Sequence, residues 1–311
     1  VQGLSRQLMG NFLGLVCMIA WSTNFIIADD LLATWHPVLL TPARSGVAAL
    51  VLCLAVVAMG QGRQLLQIPV IHMVGAGGIG LSVSNLLFVW GQNYVDPVSA
   101  AIILSCLPVI SVIFGWIGGT ERLGILLCMG IALAVVGGVL ASLGVQSGAA
   151  GEGSILGAVM ILTGTVFYIW YTRTLVAICP NVSVLAKAAV CMLMSTLMCL
   201  IYAEFAVLLD MVPLKYDVSL VSLGKLFWFG AIAIGGSTAL WFATGQMVGV
   251  TIAAMHHNMV PFYVMLFALA AGGTISGQTL AGAGLVAVGA VLAQLPALAV
   301  ARRSNMRTQA S

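Results

Sequence analysis

Two histidines and an asparagine interrupt an apolar stretch, "AAMHHNMVPF" at residues 253–262. Histidine titrates near neutral pH, so it could carry a proton, bind a metal or hydrogen-bond a solute. Adjacent residues project about 100° apart on a helix, so His256 and His257 cannot both face one metal ion. Polar groups are costly in hydrocarbon unless they face a cavity or a partner. We expect at least one histidine, with Asn258, to line a solvent-filled path; a bond to a carbonyl freed by Pro261 is the alternative.

Aromatic, amide and hydroxyl side chains recur at helical spacing in other apolar segments. Trp21 and Asn24 are three residues apart and share a helix face, as do Tyr168 and Tyr171. Such faces would form a cavity for a neutral or zwitterionic organic solute of modest size. The predicted binding residues are Trp21, Asn24, Ser82, Asn85, Tyr168, Tyr171, Thr238, Trp241, His256, His257 and Asn258.

Motifs for catalysis and for cofactors are absent or out of context. "GAGGIG" at residues 75–80 has the GxGxxG pattern, but it lies in an apolar helical segment without a preceding strand, which favours close helix packing over a dinucleotide site. The sequence has no GxxxxGK[ST] motif, and its seven cysteines form neither a CxxC pair nor a zinc pattern. No serine or aspartate pairs with His256 or His257 at a fixed spacing. We therefore predict no enzyme activity, no cofactor and no metal site.

Composition indicates that lipid is the solvent of the chain. Hydrophobic residues make up 61% of it, charged residues 6%, and the mean hydropathy is +1.14. No water-soluble domain can bury so much apolar surface, so we predict a polytopic α-helical membrane protein. A net charge of +3 is too small and too dispersed to indicate nucleic acid. The expected partners are the bilayer and a small-molecule substrate. Nothing in the sequence fixes the oligomeric state, and a monomer is compatible with it.

Glycine, proline and charged residues divide the chain into ten segments long enough to cross a bilayer. The predicted spans are 10–28, 38–59, 68–91, 97–116, 124–143, 154–173, 183–208, 226–245, 249–271 and 278–299. Basic residues favour the cytoplasmic side. A cytoplasmic N-terminus leaves only Lys215 and Lys225 outside and places these basic residues inside: Arg6, Arg63, Arg122, Arg173, Lys187, Arg302, Arg303 and Arg307. Both termini are therefore predicted to be cytoplasmic.

Four windows recur in the same order in both halves of the chain. "AAIILSCLPVISVIFGWIGGT" is similar to "AAMHHNMVPFYVMLFALAAGGT", which pairs Pro108 with Pro261. The other pairs are "GNFLGLVCMIAW" with "GSILGAVMILTG", "WGQNY" with "TGQMV", and "MGIALAVVGGVLA" with "AGAGLVAVGAVLA". Because five spans is an odd number, the second repeat must enter the bilayer upside down. We predict an all-α membrane protein of ten transmembrane helices, arranged as two inverted five-helix repeats (residues 1–148 and 149–311) with Pro108 and Pro261 as hinges.

This arrangement resembles the drug/metabolite transporter superfamily in its paired EamA-domain form. Arg44, in "TPARSGVAALVL", stands where that family's repeat carries an arginine, and Glu121, in "GGTERLG", matches its usual glutamate; the second half has "GGTISGQ" instead. The resemblance implies a secondary transporter in a bacterial inner membrane. It would export small metabolites by alternating access, and amino-acid exporters are among the most similar members.

Alternatives remain open for the cargo and the driving force. Multidrug export of lipophilic cations would require an acidic residue within the membrane. A channel would require a continuous polar stripe. A membrane-embedded enzyme would require a nucleophile with a paired base. The acids lie in loops or at span ends, with Glu204 nearest to an exception, which favours uniport over a carboxylate proton relay. Histidine could carry the proton instead. Arg44 could attract a carboxylate, but we expect it to snorkel or to pair with a carbonyl or an outer acid.

Overall fold

The computed structural model describes residues 2–118, 124–143, 152–248, 256–289 and 291–292, and every regular element within them is helical. Glu121 and the first residues of the predicted ninth span, 249–255, lie outside this part. The helices are α1 (Gln2–Leu32), α2 (Pro37–Ala58), α3 (Val70–Gln92), α4 (Pro97–Ile117), α5 (Ile125–Leu143), α6 (Glu152–Ala177), α7 (Val184–Leu208), α8 (Leu220–Val248), α9 (Val260–Ala270) and α10 (Gly277–Gly289). A 3₁₀ turn, His256–Met259, directly precedes α9.

Polar side chains at the helix starts explain where α2, α4 and α7 begin. Asp96 accepts hydrogen bonds from the amides of Val98 and Ser99, each at 3.0 Å, and Pro97 occupies the first turn of α4, where its missing N–H is not needed. Ser183 caps α7 in the same way. His36 caps α2 through its Nδ1, which accepts from the amide of Val38 at 3.3 Å. Burial and the charge of Lys215 lower the pKa of His36 below its usual value.

Irregular segments interrupt α3, α4 and α8, and another directly precedes α9. α3 contains a π-helix over Met73–Leu81, and α8 contains one over Trp228–Gly236. α4 breaks at Ser105 and Cys106, before a second helical part, Leu107–Ile117. α9 begins after the 3₁₀ turn His256–Met259. Pro108 and Pro261 each fall in the first turn after the break, the position where a proline is tolerated in a helix.

Two glycines let irregular helices approach their neighbours closely. A Cβ on Gly77 of α3 would lie 2.7 Å from the carbonyl oxygen of Cys191 on α7. A Cβ on Gly230 of α8 would lie 2.6 Å from the carbonyl oxygen of Arg44 on α2. Because both obstacles are backbone atoms, no other residue fits at either position without a shift of the helices. The GxGxxG pattern that contains Gly77 therefore serves helix packing.

Seven of the helices in the described part of the chain are long and apolar enough to cross a membrane. They are α1, α2, α3, α4, α6, α7 and α8, while α5 and α10 are shorter there. Large apolar side chains on α7 point away from the protein, including Leu193, Leu197, Ile201, Phe205 and Leu208. Such an exterior suits hydrocarbon rather than water. The chain is an integral, multi-pass membrane protein.

Candidate functional site

Two adjoining cavities lie among the central helices and share four lining residues, Trp21, Leu81, Tyr168 and Met192. We call these four residues the partition. The histidine cavity is further lined by Cys17, Met18, Tyr171, Thr172, Leu175, Ala188, Ser237, Thr238, Trp241, Phe242 and His257. The arginine cavity is further lined by Asn24, Phe25, Arg44, Asn85, Phe88, Gln92, Ala100, Leu104, Ile161 and Ile234.

Aromatic rings form one wall of the histidine cavity. The imidazole of His257 lies edge-on to Trp241, with ring centroids 4.7 Å apart and an interplanar angle of 88°. It also contacts Trp21 at 5.2 Å and 64°. The rings of Tyr168 and Tyr171 also line this cavity, and their centroids are 5.9 Å apart. Edge-to-face contacts of this kind hold rings in fixed orientations, so His257 presents a polar group from within an aromatic wall.

The arginine cavity contains a buried positive charge. Arg44 is 4% exposed, and its Nη2 donates to Oδ1 of Asn85 at 3.1 Å. Asn85 in turn donates through Nδ2 to the hydroxyl of Ser195 at 3.1 Å. The guanidinium also lies over the ring of Phe229, 4.9 Å from its centroid. In the described residues these partners are all neutral, and the one ion pair joins Lys225 to Asp30 at an exposed site.

Three residues that line the arginine cavity each have a buried polar atom without a hydrogen-bond partner among the described residues. These atoms are Nε of Arg44, Oδ1 of Asn24 and Oε1 of Gln92. An unsatisfied buried donor or acceptor costs about 1–3 kcal/mol. The side chains of these three residues line a single cavity, and one cationic donor and two amide acceptors among their atoms have unused hydrogen-bonding capacity.

Comparison with known proteins assigns the first half of the chain. Residues 8–143 match the EamA-like transporter family. These 136 of the 311 residues are similar to an EamA-like transporter domain. The match confirms the resemblance to the drug/metabolite transporter superfamily and indicates a membrane transporter.

A solved structure titled "Crystal structure of protein" shares the fold. It is 20% identical to this chain, with a TM-score of 0.67 over 92% of this chain and 96% of its own. At that identity the likeness concerns the fold alone. No curated protein matches the chain.

The residues that match the EamA-like family include Arg44, Asn24 and Asn85 of the arginine cavity. Tyr168, Trp241 and His257 lie beyond the matched residues. The two cavities therefore draw on both halves of the chain. A transporter whose cargo contacts both halves can couple their relative motion to binding.

Most of the predicted binding residues line the cavities. Eight of them do so: Trp21, Asn24, Asn85, Tyr168, Tyr171, Thr238, Trp241 and His257. The structure does not place the other three among the lining residues. Ser82 donates its hydroxyl to the carbonyl of Gly78 on its own helix, and the ring of His256 packs against Gly14. Asn258 is buried, and its Oδ1 has no hydrogen-bond partner within the described ranges.

The expectation that Arg44 snorkels to the surface or pairs with a carbonyl or an outer acid is wrong. The side chain is buried and donates to the amide of Asn85, because Phe229 and Gly230 of α8 close over its part of α2. Three residues that line the arginine cavity, Arg44, Gln92 and Met192, are not among the predicted binding residues. The signal was present: an arginine inside an apolar segment, with amides at helical spacing in the next one.

Metal binding finds no support in the described residues. No three histidine, cysteine, aspartate or glutamate side chains among them lie close enough together to hold an ion. The chemistry available in the cavities is hydrogen bonding, charge attraction to Arg44 and stacking on aromatic rings.

Proposed function

We propose that the chain is a secondary transporter that exports small zwitterionic metabolites, amino acids in particular, by alternating access. In this proposal ten helices cross the bilayer as two inverted five-helix repeats, residues 1–148 and 149–311. Both termini lie in the cytoplasm, and the membrane is a bacterial inner membrane. The cargo occupies the histidine and arginine cavities, and Pro108 and Pro261 mark the hinges.

Equivalent helix contacts support the repeat. Gly77 meets the carbonyl of Cys191, and Gly230 meets the carbonyl of Arg44. Gly230 follows Gly77 by 153 positions, and Cys191 follows Arg44 by 147. The first half therefore packs its third helix on the second helix of the other half, and the reverse contact uses equivalent residues.

A second pair of contacts joins corresponding helices of the two halves. A Cβ on Gly10 of α1 would meet Met247 and Val248 of α8, and one on Gly157 of α6 would meet Tyr94 and Val95, just after α3. The first helix of each half therefore contacts the end of the third helix of the other half, although the aligned windows pair Gly157 with Gly14, one turn after Gly10. Such exchange of partners is what a two-fold axis between the halves would produce. Small residues at these crossings let the helices slide against each other.

The cavity lining favours a zwitterion over a lipophilic cation. Among the described residues, the arginine cavity has a buried guanidinium and no carboxylate, so a positively charged solute would be repelled. The buried, uncompensated Arg44 is the observation on which the choice of cargo depends. Aromatic walls around Trp21, Tyr168 and Trp241 suit aromatic or other apolar side chains.

Transport by purified protein in liposomes tests the proposal. We expect saturable counterflow of radiolabelled phenylalanine, tryptophan or leucine, little affected by a pH gradient because no carboxylate lines either cavity in the described residues. Trp241→Ala should lower this flux. Uptake of tetraphenylphosphonium without any amino-acid flux would replace the proposal by multidrug export. Flux that never saturates would indicate a channel.

A further inference from the structure

Arg44 is fixed at the centre of the protein. It lies on α2 with its backbone carbonyl against Gly230, and its side chain is 4% exposed. The guanidinium is held from one side by Asn85 and from another by the ring of Phe229. It therefore cannot reach the surface, and its charge stays directed at the arginine cavity that it lines.

The positive charge has no acid to neutralise it in the described residues. Burying an uncompensated ion is strongly unfavourable, and a protein retains one when a function requires it. Nε of Arg44 is a buried donor that finds no acceptor in the part of the chain that the structure describes. A carboxylate supplies both the missing acceptor and the missing charge, and guanidinium geometry matches it better than any other side chain does.

The oxygens of two amide side chains that line the same cavity lack hydrogen-bond donors in the described part of the chain, whereas Arg44 lacks an acceptor there. Oδ1 of Asn24 and Oε1 of Gln92 are buried acceptors to which no described residue donates. An ammonium group provides three donors and a charge that amide oxygens attract. A solute with a carboxylate and an ammonium on one carbon would satisfy both sets of atoms together. The apolar side chains of Phe25, Phe88 and Leu104 lower the local dielectric, which strengthens these contacts.

We infer that the arginine cavity is the head-group subsite for an α-amino acid: Arg44 binds the carboxylate through Nε, and the amide oxygens of Asn24 and Gln92 accept from the ammonium. The side chain of the cargo then passes the partition into the aromatic histidine cavity. This inference rests on the proposed function for the identity of the cargo. It adds which atoms of the cargo are recognised, and where.

Binding to the purified full chain tests the subsite separately from transport. Three probes share one ring and differ in the head group: phenylalanine, 3-phenylpropionate and phenethylamine. We expect phenylalanine to bind best, 3-phenylpropionate to bind detectably, and phenethylamine to bind at least about tenfold more weakly than phenylalanine, because it offers nothing to Arg44. 3-Phenylpropanamide, the neutral counterpart of 3-phenylpropionate, should bind at least about tenfold more weakly than the acid.

Substitutions of Arg44 test whether this residue causes the preference for the acid over the amide. Arg44→Gln should remove the preference for 3-phenylpropionate over 3-phenylpropanamide, and Arg44→Lys should keep part of it. Lys187→Gln is the matched control, because Lys187 is also a buried cation but bonds the carbonyl of Ile178 and lines neither cavity. If Arg44→Gln fails to fold, the comparison of acid with amide on the unmodified protein still tests whether the cavity recognises a carboxylate.

Each outcome has a distinct meaning. Equal binding of acid and amide, binding of neither, or an unchanged preference in Arg44→Gln would overturn the subsite, even if liposomes transport amino acids. Binding of 3-phenylpropionate through Arg44 without amino-acid flux would uphold the carboxylate contact and overturn the proposed cargo.

Discussion

Asn85 connects Arg44 to Ser195 through two hydrogen bonds, each 3.1 Å long. The amide accepts from the guanidinium of α2 and donates to the hydroxyl of α7, so one side chain on α3 ties three helices together. Because an amide carries no charge, it positions the guanidinium without neutralising it. The charge of Arg44 remains available to a solute.

Replacing the amide of Asn85 by a carboxylate should neutralise Arg44 and so weaken the binding of the cargo. Asn85→Asp would place an acid 3.1 Å from the guanidinium, where it would form a buried ion pair that competes with the carboxylate of the cargo. We expect binding of phenylalanine to weaken at least about tenfold while the protein stays folded. Isothermal titration in detergent measures the affinity, and a melting curve checks the fold. If Asn85→Asp binds phenylalanine as tightly as the unmodified protein does, that result would contradict this role of Arg44.

Removing the imidazole of His257 should loosen the aromatic wall. Its ring contacts both Trp21 and Trp241, so His257→Ala leaves a gap between two tryptophans. We expect a higher KM for aromatic amino acids in the liposome assay and a smaller effect on leucine. His257→Phe refills the gap and separates packing from polarity: recovery of KM would assign His257 to packing, and no recovery would assign it to a polar contact with the cargo.

Glycine-to-alanine changes test the close helix crossings. Gly77→Ala and Gly230→Ala would each place a Cβ within 2.7 Å of a carbonyl oxygen on a facing helix. Overpacking of this kind costs about 1–3 kcal/mol, so the melting temperature in detergent should fall. Gly75→Ala and Gly224→Ala lie on the same two helices with nothing within 4 Å of the new Cβ. These controls should melt at or above the temperature of the unmodified protein, and equal losses in all four would refute the packing argument.

The cap at the start of α2 predicts a dependence of stability on pH. Burial and the charge of Lys215 lower the pKa of His36, so the unfolded chain binds this proton more tightly than the folded one. The resulting stability is fully present above the ordinary histidine pKa of about 6.5 and is lost as the pH falls through the lower folded value. Melting temperatures from pH 7.5 down to pH 5 should decline more steeply in the unmodified protein than in His36→Asn, which keeps a capping side chain that does not titrate. Parallel declines would exclude His36 as the cause.

The sequence predicted the helices and the aromatic lining better than the polar contacts. Apolar segments bounded by Gly, Pro and charge identified α2 almost to the residue, since the predicted span 38–59 became Pro37–Ala58. The sequence predicted that Trp21 and Trp241 line a cavity, because each shares a helix face with polar side chains inside an apolar segment. Spacing alone could not tell that Ser82 would bond its own helix carbonyl.

Arg44 shows why the rest could not be predicted. Its burial depends on α8, more than 180 residues later in the chain, closing over α2 at Gly230. The π-helical segments of α3 and α8 are both rich in glycine, but the glycine pattern alone did not predict a π-helix at either place. Long-range contacts, rather than local pattern, decide which polar groups face the cavities.

The partition has a consequence for the size of the cargo. Trp21, Leu81, Tyr168 and Met192 bound both cavities, so any molecule that extends from one into the other must fit between their side chains. Two of the four are rigid rings and one is a flexible thioether, which can yield where the rings cannot. We therefore expect the spacing of these four side chains, more than the charge in either cavity, to limit the width of a solute that occupies both.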